Sequence, residues 1–131
     1  MANYLDRREP ADATTLRGLG VALGIVWPDD FVELMSITNG GEGWIGESYL
    51  LVYELDQIAR FNSPEFHPGL VLFASDGGGE GFAFRKGSTP PDIVMANLVG
   101  PDPAVPQGDL SQFTDRLIKA AIFDPLGSPS A

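Results

Sequence analysis

The sequence predicts a single α+β domain with a mostly antiparallel sheet of about 4–6 strands, two N-terminal helices, a short middle helix and a C-terminal helix. Three observations lead there. Apolar residues recur at helical spacing near both ends of the chain, short β-rich apolar runs separated by Gly and Pro fill the middle, and the helices do not alternate regularly with the strands. At 131 residues the chain has the length of one ordinary domain. The expectation is one unit over residues 1–131, with an ordered core of about residues 10–124 and a disordered tail at residues 127–131.

In order, the polar first ten residues read as a loose lead-in. Leu16, Leu19 and Leu23 then give a first helix over residues 11–23, which Gly18 and Gly20 weaken by about 1 kcal/mol each against Ala. Trp27 precedes the second helix as a hydrophobic staple. Pro28 suits the first helical position there, Asp29 and Asp30 suit the positive end of the dipole, and Phe31, Leu34 and Met35 form one face. Asn39, Gly40 and Gly41 supply left-handed residues that stop it. Residues 42–47 read as a loop, residues 49–53 as a strand and residues 54–61 as a short helix that Asn62 and Pro64 end. Residues 70–74, all apolar, predict a central strand. A glycine turn over residues 76–81 leads into a strand at residues 82–85, and a further strand follows at residues 93–99. A Pro- and Gly-rich connection over residues 100–108 precedes a last helix with Asp109 as N-cap and Leu110, Phe113, Leu117 and Ala121 as its stripe.

Composition excludes several functions. With no cysteine there is no disulfide, thiolate metal site or cysteine nucleophile, which agrees with a reducing compartment. The polar N-terminus and the lack of a long apolar run predict neither a signal peptide nor a membrane span, and hence a cytoplasmic location. Eight basic and eighteen acidic residues leave a net charge of −10, the opposite of what binding to phosphates or to an anionic membrane requires. A cationic protein would be attracted, although the same charge also serves solubility alone.

No catalytic or cofactor motif emerges. The one histidine, His67, lies in a loop without a predicted partner. The glycine run reaches Phe84 where a dinucleotide fingerprint needs glycine, and Lys86, Gly87 and Ser88 stand in the wrong order for a P-loop. Asp76 and Glu80 would repel phosphate, and the alternating acids of an EF-hand are missing. No Gly-x-Ser-x-Gly elbow occurs. The expectation is no enzyme, no cofactor and no metal. Among the residues that remain, Trp44 lies between glycines and acids, where it either contacts a partner or folds back as a lid on the core.

The stretch from Gly24 through Trp27, Pro28, Asp29, Asp30 and Phe31, with Asn39-Gly40-Gly41 eleven residues after the proline, resembles the N-terminal signature of the SUKH superfamily, which includes the Smi–Knr cell-wall-assembly regulators. The pattern there is a glycine, two variable residues, Leu-Pro, a helix containing an aromatic, and Asn-Gly-Gly. Residues 49–62 resemble the family's strand and helix ending in Asn, residues 72–84 its glycine-turned hairpin, and residues 109–117 its closing helix. The likeness covers roughly residues 10–123, with Trp27 in place of the usual leucine and Gly20 where a glutamate is common. It implies a protein-binding domain, since many bacterial SUKH domains resemble immunity proteins that neutralise toxins, often nucleases, by direct binding. The acids Glu42, Glu47, Asp76 and Glu80, with Trp44 as apolar anchor, are then the candidate contacts with a basic toxin domain. The alternative is a regulatory scaffold with several weak protein partners.

Overall fold

A computed structural model describes residues 4–62, 69–87, 91–97, 105–106 and 110–123. In chain order the elements are β1 (Tyr4–Arg7), α1 (Ala13–Leu23), α2 (Asp29–Ile37), β2 (Gly41–Ile45), β3 (Ser48–Val52), α3 (Leu55–Phe61), β4 (Leu70–Ser75), β5 (Glu80–Arg85), β6 (Ile93–Asn97), β7 (Val105–Pro106) and α4 (Leu110–Phe123). The strands pair antiparallel in sequence order, β1 to β7, with β7 only two residues long. The four helices and the antiparallel sheet are the expected α+β arrangement. His67, the Asp109 cap and the tail at residues 127–131 lie outside the described residues, as does the connection at residues 100–108 except for β7.

The N-terminus departs from expectation: residues 4–7 form an edge strand, and Leu5 is fully buried. Two glycines of β2 make this possible. A Cβ at Gly41 or Gly43 would overlap the backbone oxygen of Asp6 or of Tyr4, so only glycine lets β1 lie this close. Residues 41–45 accordingly form a strand rather than the expected loop, turning through Gly46 and Glu47 into β3. Gly46 has φ 66° and no non-glycine residue described has positive φ, the pattern of a type II′ hairpin turn.

The helix ends have local causes. Asp12 caps α1, accepting hydrogen bonds from the Thr15 hydroxyl (2.8 Å) and the Thr15 N–H (3.0 Å), which hold its carboxyl below the usual pKa. Pro28 is the N-cap of α2 rather than its first residue. That helix stops at Thr38, in extended conformation, before the Asn39-Gly40-Gly41 run. The buried Thr38 hydroxyl accepts from the Arg8 N–H and donates to the Gly40 carbonyl, both at 2.6 Å. Asn39 instead supports the start of α3, its Oδ1 accepting from the Leu55 N–H at 2.9 Å beside the Glu54 cap. Gly40, at φ 76°, passes so close to β3 that a Cβ would meet the Val52 carbonyl oxygen at 2.6 Å. The motif read as a helix stop is a junction between α2, the sheet and α3.

All six residues of β4 are buried, as a central strand requires. Its register shifts between Leu72 and Ala74, and the Phe73 ring stacks on Phe84 at 4.2 Å while Phe31 meets both edge-on. Each of these fully buried rings contributes about 1.5–3 kcal/mol through burial alone. Tyr53 makes the last backbone contact with β4, its N–H donating to the Phe73 carbonyl at 2.9 Å; the chain then turns away into α3, and Asn62 takes its place. Its amide donates to the Leu72 carbonyl and its oxygen accepts from the Leu72 N–H, both at 2.9 Å, so these buried backbone groups, which have no strand partner on this side, are satisfied.

Trp27, just before the Pro28 cap, packs on Phe31 at 5.2 Å, one position short of Val32, which a staple would contact, and its indole N–H donates to the Leu16 carbonyl at 2.7 Å. A Cβ at Gly20 would sit 2.7 Å from that same indole nitrogen and 2.9 Å from the Ile25 carbonyl oxygen. The two departures from the family pattern are therefore one packing solution: the larger indole occupies space that glycine leaves open.

Candidate protein-binding surface

Residues opposite one another in an antiparallel ladder share a face of the sheet. Leu5, Gly43 and Leu50 face the core. Tyr4, Trp44 and Tyr49 therefore form one row across the opposite face, with Asp6, Glu42 and Leu51 as the next. All six are half-buried and reach solvent. The lid role for Trp44 is thereby replaced by a place on the outer face, edge-on to Tyr49 with ring centroids 5.5 Å apart.

Glu42 is the polar centre of this face. One carboxylate oxygen accepts from the Tyr49 hydroxyl and the other from Arg8 Nη2 at 3.4 Å, while Arg8 Nη1 donates to Glu54 at 2.7 Å. The hydrogen bond to Glu42, then burial, then the nearby charges of Glu42, Tyr4 and Asp6 push the Tyr49 pKa up to about 12. Tyr49 is thus kept a neutral hydrogen-bond donor.

Glu47 is exposed at the tip of the β2–β3 hairpin. The β2–β3 and β4–β5 hairpins are alternate turns of one antiparallel run, so Glu47 and the 76–79 turn lie at the same end of the sheet. Asp76 Oδ1 accepts from the N–H groups of Gly78 (2.8 Å) and Glu80 (3.2 Å), so that carboxylate shapes its own turn. The five expected residues fall into two groups, Glu42 and Trp44 on the outer face and Asp76 and Glu80 at the two ends of the 77–79 turn, with Glu47 at the same end of the sheet. Tyr49 joins them: it touches Trp44 and Glu42, and its ring lies where a Cβ on Gly77 would meet it at 3.3 Å. Sequence reading assigned Tyr49 only to a buried strand. The available signal was its place two residues past the Gly46-Glu47 turn, which sets it opposite Trp44.

A cleft of about 470 Å³ opens beside Tyr49, between the sheet and α4. Leu50, Phe82, Met95 and Phe113 line it together with the charged Asp76 and Arg116. Among the described residues no group of three or more His, Asp or Glu could hold a metal ion, and no helix is long and apolar enough to cross a membrane.

A helix-backed antiparallel sheet with a row of aromatics and carboxylates on its outer face defines a small α+β domain suited to surface contacts. The chain belongs to the SMI1/KNR4 family (SUKH-1), whose model matches residues 10–115. No curated protein is similar enough to the chain to count as a match. The family suggests an immunity-like or regulatory domain.

Proposed function

We propose that the chain is a non-enzymatic, cytoplasmic protein-binding domain that neutralises a cationic toxin by direct contact, a nuclease being the type that fits best. The observation that carries this is the net charge of −10 in a domain whose outer sheet face joins carboxylates to solvent-reaching aromatics. A nuclease binds phosphate through a basic surface, and an acidic protein can occupy that surface. Family membership supports the same use, because many SUKH domains resemble immunity proteins. Glu42, Glu47, Asp76 and Glu80 would supply charge complementarity and Trp44 apolar contact.

Affinity capture of the tagged protein from its host lysate, with low-salt and high-salt washes in parallel, tests this. A single stoichiometric partner with a basic toxin-like domain, enriched at low salt, is the expected result. Many substoichiometric partners that ignore salt would instead support the regulatory scaffold, which the family's cell-wall regulators favour.

A further inference from the structure

We infer that the outer face of β1–β2–β3 is a receptor for a lysine or arginine side chain of the partner protein, with Tyr4 and Trp44 offering ring faces and Asp6 and Glu42 offering charge. This deepens the protein-binding reading above and rests on it for the partner, though not for the chemistry. Aromatic faces attract cations through the ring quadrupole, most strongly where neighbouring carboxylates add their field. Here the ladder sets an aromatic row (Tyr4, Trp44, Tyr49) directly beside an acidic pair (Asp6, Glu42) on one face. The chain itself shows that this face accepts a guanidinium: Arg8 reaches across to Glu42. That contact, at 3.4 Å, is the looser of Arg8's two, the other being Glu54 at 2.7 Å. An incoming cation can therefore replace Arg8 at this Glu42 oxygen, without the carboxylate turning, while Arg8 stays with Glu54. The Tyr49 hydroxyl, bonded to the other Glu42 oxygen, holds the carboxylate in the row. With a net charge of −10 the whole molecule attracts a basic segment and repels phosphate and anionic lipid.

The two tryptophans provide the readout. Trp27 is buried with its N–H bonded to Leu16, whereas Trp44 lies in the proposed site, so the indole N–H signals in an NMR spectrum separate fold from binding. An oligo-arginine peptide titrated at low salt should move the Trp44 signal saturably and leave Trp27 in place, while an oligo-glutamate peptide moves neither. Trp44→Phe should keep the affinity within about threefold, whereas Trp44→Leu combined with Glu42→Gln should weaken it by roughly tenfold. Glu33→Gln removes the same charge from an exposed position on α2 and should change affinity less than about twofold if the site is local. An unchanged Trp27 signal in each variant certifies the fold. A Trp44 signal indifferent to oligo-arginine, or equal weakening by Glu33→Gln and by the double variant, overturns the inference. So does loss of binding on Ser48→Trp, which obstructs the neighbouring cleft, with Trp44→Leu still binding normally. If a captured toxin still binds the Trp44→Leu, Glu42→Gln protein, the cation site fails while the toxin reading stands. If the wild type captures no partner but oligo-arginine still binds in a Trp44-dependent way, the toxin reading fails and the site stands.

Discussion

The two tryptophans sit in opposite kinds of environment. Trp27 is closed in on every side: Phe31 at 5.2 Å, Phe84 at 6.1 Å, the Leu16 carbonyl on its N–H, and Gly20 stripped of a side chain to admit it. Trp44 lies on an open sheet face between Tyr49, which it touches edge-on, and Tyr4 opposite it on β1, half-buried and reaching solvent. An indole that satisfies its N–H and fills a cavity serves stability. One left half in water on a face with carboxylates has surface to offer a partner.

The sharpest test is a pair of truncations. Trp27→Ala should cost about 3–5 kcal/mol and Trp44→Ala about 1 kcal/mol, read from urea unfolding midpoints. Equal losses would erase the contrast. Next is the fit of Gly20 against Trp27. Helix propensity alone would make Gly20→Ala stabilising by about 1 kcal/mol, whereas overpacking costs about 1–3 kcal/mol. We expect net destabilisation that shrinks or reverses in a Trp27→Leu background, where the indole nitrogen is gone. A stabilising Gly20→Ala in the wild type would mean the indole moves aside freely.

On the same closed side, Asn62→Ala leaves the buried Leu72 N–H and carbonyl without their partner and should cost about 1–3 kcal/mol in the same unfolding assay. The open face predicts a smaller effect, visible mainly in titration. With its pKa near 12 against the usual 10, Tyr49 keeps its proton in the folded state after the unfolded chain has released it. The stability it contributes is complete below pH 10 and is lost as pH rises toward 12. Tyrosinate absorbance should show a late ionisation that Tyr49→Phe removes, and Glu42→Gln should return it toward 10. A late group that persists without Glu42 would place the cause in burial instead.

Much of this could be read without a structure. Helical spacing located α1 and α2, and an unbroken apolar run made β4 central, because burial on one face or on two leaves a different period in the sequence. Charge and the absence of cysteine and catalytic motifs turned attention to protein binding. Residues 4–7 and 41–45 were not legible. Their strands depend on each other, and the glycines that permit their close approach look, in sequence, like loop residues. The same holds for function. Composition picked out Glu42 and Trp44 as an acid and an aromatic near one another, but only the ladder placed Tyr4, Asp6 and Tyr49 on their face. Local periodicity is written in neighbouring residues, whereas register joins residues about forty apart, and it is decided by which backbones can touch.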